Sequence, residues 1–232
     1  MRYYLKEIFK NVYHVGDSGC SVYLIDTKSD DGLVLIDCGM NLNLIKRISK
    51  ANLDPMNIKQ CILTHYHFDH ISLCYDLKNY NSKVKFYAND LDADAIEEEG
   101  HDRETGAAWA GSTYKPVKLE KRLKGDETLK FGPYEFQCLH TPGHTPGSIS
   151  IFLEVDNTKI LFGQDLHGPI IPGVSNFEDY QKSLKRLLDL NADILCEGHF
   201  GIFSPADQVC NYIKRYIELK GDETLKMGSY EL

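Results

Sequence analysis

The chain has 232 residues, a formal net charge of −8 and an apolar content of 42%, which fits one sizeable globular domain and weighs against nucleic acid or an anionic membrane as its main partner. No apolar run reaches the roughly 18 residues of a membrane-spanning helix, and the opening residues Met1 to Glu7 lack the apolar centre of a secretory signal. The seven cysteines are odd in number and mostly lie in apolar runs, so they read as small core residues in a reducing, cytoplasmic compartment.

In chain order, residues 7–15, 20–25 and 33–36 read as strands, with Asp30-Asp31-Gly32 as the turn between the last two. Residues 41–49 carry Leu44, Ile45 and Ile48 at helical spacing. A strand follows at 58–64, a helix at 71–77, a strand at 84–88 and a helix at 90–99. Residues 100–115 show no clean period and hold the single tryptophan, Trp109. The second half repeats the alternation. Residues 129–140 read as two short strands around Gly132-Pro133, and 148–155 pairs with 160–163 across Asp156-Asn157. An amphipathic helix spans 177–190, a strand 192–197 and a last long helix 205–219, capped by Ser204 with Pro205 at its first position. Strands interleaved with helices imply one layered α/β domain over residues 1–219.

Residues 220–232 stand apart. KGDETLK at 124–130 recurs at 220–226, and GPYE at 132–135 is matched by GSYE at 228–231. Two copies do not make a solenoid. The tail is a loose end left by a local duplication, or a copy of the same strand docked on a sheet edge, which in a second subunit would make a homo-oligomer.

The chemistry concentrates in Thr64-His65-Tyr66-His67-Phe68-Asp69-His70, where three imidazoles and a carboxylate fall within six residues. Histidine is the commonest metal ligand, and zinc takes imidazole nitrogen and carboxylate oxygen. The apolar Cys61-Ile62-Leu63 ends a buried strand. Residues i and i+2 of an extended chain point the same way, so His65 and His67 can grip one ion. Asp69 and His70 lie where the chain turns into a helix and can face a second position. Further on, His144 sits in a loop stiffened by Pro142 and Pro146 and opened by Gly143 and Gly147. Asp165 and His199 each follow an apolar strand, and strand ends are where sites gather in layered α/β folds.

The order His-x-His-x-Asp-His, then TPGHTPGS, GQD and EGH, resembles the metallo-β-lactamase superfamily, above all its glyoxalase II-like hydrolases, over nearly the whole chain. The resemblance implies a four-layer αβ/βα sandwich with two metals in a cleft at the sheet edges. Carried over by motif, His65, His67 and His144 hold the first metal, Asp69, His70 and His199 the second, and Asp165 bridges both. Asp37 orients a ligand histidine instead of binding metal. The implied chemistry is hydrolysis: two dications bracketing one water leave a bridging hydroxide near neutral pH. Asp69 orients that hydroxide. His167 is the first candidate for the leaving-group acid, or is a rim residue without a catalytic role. Zinc suits the donor set best, and iron or manganese tolerate it.

The expected substrate is a small ester, thioester or lactone. The alternatives are a mononuclear-iron oxidoreductase of the persulfide dioxygenase type and a non-catalytic metal-binding protein of the same fold. Departures from the pattern narrow the field. One long helix follows His199 where glyoxalase II proper carries a basic extension for glutathione. Gly168 stands where homoserine-lactone hydrolases place a tyrosine. Neither an RNA-gripping arm nor the signal of an exported lactamase is evident. Trp109 and Tyr114 in one loop, and Ile170 and Ile171 in another, wall the pocket or fill core.

Overall fold

Strands buried on both faces read as near-continuous apolar runs, and the inner strands of this chain are of that kind. The computed structural model describes residues 5–17 and 19–219. Strands β1 (Lys6–Phe9), β2 (Val12–Asp17), β3 (Ser21–Asp26), β4 (Leu33–Ile36), β5 (Ile58–Ile62), β6 (Lys85–Asn89) and β7 (Lys121–Leu123) form a seven-stranded sheet in chain order. Its first half is antiparallel; from β4 onward the pairing is parallel. Side chains alternate along each strand. On β3, Val22 and Leu24 therefore join the core under α1 (Asn43–Lys50), while Tyr23 and Ile25 face the other sheet.

That second sheet has six strands, in the order β13 (Ile202–Phe203), β12 (Ile194–Glu197), β11 (Thr158–Gln164), β10 (Ile149–Val155), β9 (Tyr134–His140) and β8 (Glu127–Phe131). Ile151, Phe136 and Phe162 fill the space between the sheets. Phe152, Leu161 and Leu195 point outward beneath α5 (Phe177–Asp189) and α6 (Ala206–Ile217). The result is the four-layer αβ/βα sandwich expected. At one end the main chain stitches the sheets together: Ile149 N–H donates to Thr64 O at 2.9 Å and Ser21 N–H to Gly198 O at 2.6 Å. The histidine-bearing loops leave the strands at this stitched end.

Three features differ from the sequence reading. The helix expected over 71–77 is split into α2 (Phe68–Ile71) and α3 (Cys74–Tyr80). The break has a tertiary cause. Cys38 N–H takes the His70 carbonyl at 3.0 Å, which a continuous helix would give to residue 74, and Leu73 N–H goes to Gly39 O at 2.9 Å. Ser204 does not cap the last helix. Pro205 stands at the cap position without a side-chain bond, and its carbonyl accepts from Gln208 N–H at 2.9 Å. Two strands were missed, β7 and β13, of three and two residues, too short to show a period. The repeated tail lies outside the described residues; its first copy forms β8, an edge strand, and the turn into β9.

All seven cysteines are free thiols, and only Cys210 is not buried. Among the described residues no helix is long and apolar enough to cross a membrane. Because Phe136 is wholly buried between the sheets, Phe136→Ala is expected to cost about 3–5 kcal/mol, read as a lowered urea midpoint at an unchanged m-value.

Candidate metal centre

One carboxylate sets the first half of the site. Directly after β4, Asp37 takes a left-handed φ of +59°, a conformation aspartate tolerates better than most residues. Its Oδ1 accepts from Thr64 N–H at 2.8 Å, and its Oδ2 from Thr64 Oγ1 and His70 Nδ1, each at 2.8 Å. Thr64 Oγ1, its proton given to Asp37, lies 3.0 Å from His65 Nδ1 and accepts from it. This network places a proton on Nδ1 of both His65 and His70 and turns Nε2 of each inward. The loop of His144 arrives at the same result from the other side. Its Nδ1 donates to Pro169 O at 2.9 Å, which turns Nε2 inward. Gly143 gives that loop its shape, with φ at +140° and no room for a Cβ, which would stand 2.3 Å from Tyr180 Cα of α5.

Asp165 lies between two groups of side chains. His144 Nε2 and His65 Nε2 are 3.3 and 3.9 Å from its Oδ2. On the other side His70 Nε2 and His199 Nε2 are 3.2 and 3.4 Å from its Oδ1. His67 Nδ1 is 2.8 Å from His144 Nε2, and Asp69 Oδ2 is 3.2 Å from His199 Nε2. The possible ligand atoms of His65, His67, His144 and Asp165 all lie within 4.8 Å of one another, as do those of Asp69, His70 and His199. The seven side chains singled out from the sequence thus converge, with Asp165 shared. Gly198 leaves room for it, since a Cβ there would stand 2.3 Å from Asp165 Oδ1.

This donor set fits a metal. His65 Nε2, His67 Nε2 and Asp165 Oδ1 are buried without a hydrogen-bond partner, and buried polar atoms are seldom left so. Burial, then the neighbouring His144, pushes His67 down to about 3, which keeps it a neutral ligand. His199 goes the opposite way. Burial opposes its charge, but Asp165 and Asp69 outweigh it and raise the ring to about 10. Burial likewise opposes ionisation of Asp165, yet His199 and His70 hold its carboxyl well below the usual range. The carboxylates thus hold on His199 and His70 protons that a cation would displace, and imidazole with carboxylate is the ligand chemistry of zinc and its neighbours.

The mouth of the cleft is apolar. Met40, Phe68, Trp109, Ala110, Pro169 and Ile171 border a cavity of about 340 Å³ over His67, Asp69, His144, Asp165 and His199. Trp109 is 66% exposed and belongs to this wall. Tyr114 does not: it is buried, with its hydroxyl donating to Ile96 O at 3.1 Å. Ile170 likewise turns away into the core beneath α5, whereas Ile171 faces the cleft. His167 lies on the rim with Nδ1 2.8 Å from Glu197 Oε1.

Two buried acids escaped the sequence reading. Asp92, on α4 (Asp90–Glu97), accepts from Tyr66 N–H at 3.2 Å, Thr145 Oγ1 at 2.7 Å and Gly147 N–H at 2.6 Å. It thereby ties the loop of His65 and His67 to that of His144. Burial pushes its carboxyl up to about 7 against those three donors. A signal was present, since Asp92 shares a helix face with the buried Ala95 and Ile96. Glu197, fully buried at the end of β12, is an acid closing an apolar run.

A family model described as the metallo-beta-lactamase superfamily matches residues 15–199. An uncharacterized protein of Aquifex aeolicus is 32% identical over 193 residues, 78% of this chain and 83% of that protein. The hydroxyacylglutathione hydrolase GloC of Haemophilus influenzae is 29% identical over 198 residues, 82% of this chain and 88% of its own length. Among solved structures, BJP-1, a subclass B3 metallo-beta-lactamase of Bradyrhizobium japonicum, matches with a TM-score of 0.79 at 20% identity, over 97% of this chain and 94% of that one. That likeness is one of fold.

If Asp37 orients His70 and, through Thr64, His65, then Asp37→Ala is expected to weaken metal binding by roughly 10–100-fold. Competition with a chromophoric chelator measures this, and wild-type affinity would remove Asp37 from the site.

Proposed function

The chain belongs to the metallo-beta-lactamase superfamily, and we propose on that footing that it is a hydrolase using two divalent ions, zinc foremost, to cleave a small ester, thioester or lactone. The observation that carries this reading is the position of Asp165, one oxygen toward each group of histidines. His65, His67 and His144 would hold one ion with Oδ2, and Asp69, His70 and His199 the other with Oδ1. Bound there, the metals supply an activated water and a Lewis acid for the carbonyl.

The protein's own residues supply the rest. Asp69 reaches the cleft with about a third of its side chain exposed and can accept a hydrogen bond from the attacking water while ligating. His167 at the rim can meet the departing oxygen or sulfur through Nε2. The GloC relative's name points to thioesters. Among the described residues no lysine or arginine borders the cavity, whereas Met40, Phe68, Trp109 and Ile171 do. This wall favours an uncharged, apolar acyl group over an anionic one.

Elemental analysis of the purified chain, run beside a panel of thioesters, lactones and phosphodiesters, tests the proposal. The expected result is two zinc per chain and ester or thioester hydrolysis that chelation abolishes. Asp165→Ala is expected to lose both metal and turnover. One iron per chain with oxygen consumption on a persulfide would overturn it, as would turnover by metal-stripped protein. Trp109→Ala is expected to raise KM for apolar acyl substrates about tenfold, or ~1.4 kcal/mol, at an unchanged kcat.

A further inference from the structure

Glu197 is completely buried, and its two oxygens divide their work between two loops. Oε2 accepts the backbone N–H groups of His199 at 2.6 Å and Phe200 at 2.7 Å. Oε1 accepts His167 Nδ1 at 2.8 Å and the His167 backbone N–H at 3.3 Å. The residue is itself pinned, since its carbonyl accepts the Tyr23 hydroxyl at 2.6 Å and its N–H donates to Gly201 O at 2.9 Å. A carboxylate accepts hydrogen bonds and donates none when ionised. The proton between Glu197 and His167 therefore sits on Nδ1, and the opposite nitrogen of the ring is left for the cleft. His167 borders that cleft, and its ring centroid is 5.1 Å from that of His199.

We infer that Glu197 is a positioning residue that fixes, with one carboxylate, the loop carrying His199 and the tautomer of His167. Apolar packing of a carboxylate would leave its oxygens unpaired; here both carboxylate oxygens are paired, Oε2 with the N–H groups of His199 and Phe200 and Oε1 with the ring and N–H of His167. The assignment of Nδ1–H and the anchoring of His199 stand on geometry alone. That Nε2 of His167 then meets the substrate rests on the hydrolase reading above.

The test uses the full-length, zinc-loaded chain with ¹⁵N-labelled histidine, comparing wild type with Glu197→Gln, Glu197→Ala and His167→Ala. In wild type the Nδ1 of His167 is expected to carry a proton. Glutamine can keep its oxygen on the His199 and Phe200 N–H groups, but then turns an NH₂ donor toward His167. The E197Q ring is expected to switch to the Nε2–H form, with zinc affinity held within about threefold because the His199 loop keeps its acceptor. E197A, which loses both anchors, is expected to bind zinc roughly 10–100-fold more weakly.

An unchanged His167 tautomer in E197Q overturns the inference, and that variant still decides the matter if E197A does not fold. Wild-type zinc affinity in a folded E197A overturns the loop-anchoring half. On any ester or thioester the chain turns over, E197Q and H167A are expected to lower kcat by the same factor at constant KM, with the double variant no lower than H167A; additive losses count against it. Absence of all turnover would sink the hydrolase reading while leaving the tautomer result intact.

Discussion

Each of four cleft histidines surrenders one ring proton to a protein acceptor, and the other nitrogen has nowhere to turn but inward. His65 gives its proton to Thr64, His70 to Asp37, His144 to the Pro169 carbonyl and His167 to Glu197. An imidazole free to rotate would present either nitrogen or neither. Fixing the remote nitrogen by hydrogen bond selects tautomer and ring plane together. At this end of the sandwich the fold supplies those acceptors, because imidazoles and carboxylates converge in a buried place at lower cost when their outer atoms are satisfied and a cation would meet the inner ones.

The two halves of the molecule solve this problem alike. In the first sheet, Asp37 after β4 receives a backbone N–H from the loop that follows β5 and an imidazole from α2. In the second, Glu197 at the end of β12 receives backbone N–H groups and an imidazole from the loops around it. Asp92 spans the divide, holding Tyr66 from one half and Thr145 and Gly147 from the other. Three buried acids without lysine or arginine at these contacts are thus offset by N–H dipoles, hydroxyls and histidines. This arrangement orients loops with short, directional bonds.

The convergent side chains were legible in the sequence because they are crowded: His65 to His70 fall in one turn of chain, and His144, Asp165 and His199 each close a strand or open a loop. The sandwich was legible because strands such as β3 and β4 are largely apolar on both faces. What stayed hidden is tertiary. The break between α2 and α3 comes from Cys38 and Gly39, some thirty residues upstream, and no local propensity encodes it. Asp92 and Glu197 look like ordinary acids until the fold brings backbone donors from distant loops against them. Trp109 and Tyr114 share one aperiodic loop, yet one faces the cleft and the other the core, a difference set by how the loop lies and not by residue type.

The exposure of Trp109 has an optical consequence. The chain contains one tryptophan, and that indole stands at the mouth of the cavity with 66% of its surface open to water. Its emission is therefore free of any second indole and comes from the place where a ligand's apolar part would shield it from solvent. The protein carries a built-in fluorophore for its own cleft, so occupancy can be titrated on the unlabelled chain before any reaction is known.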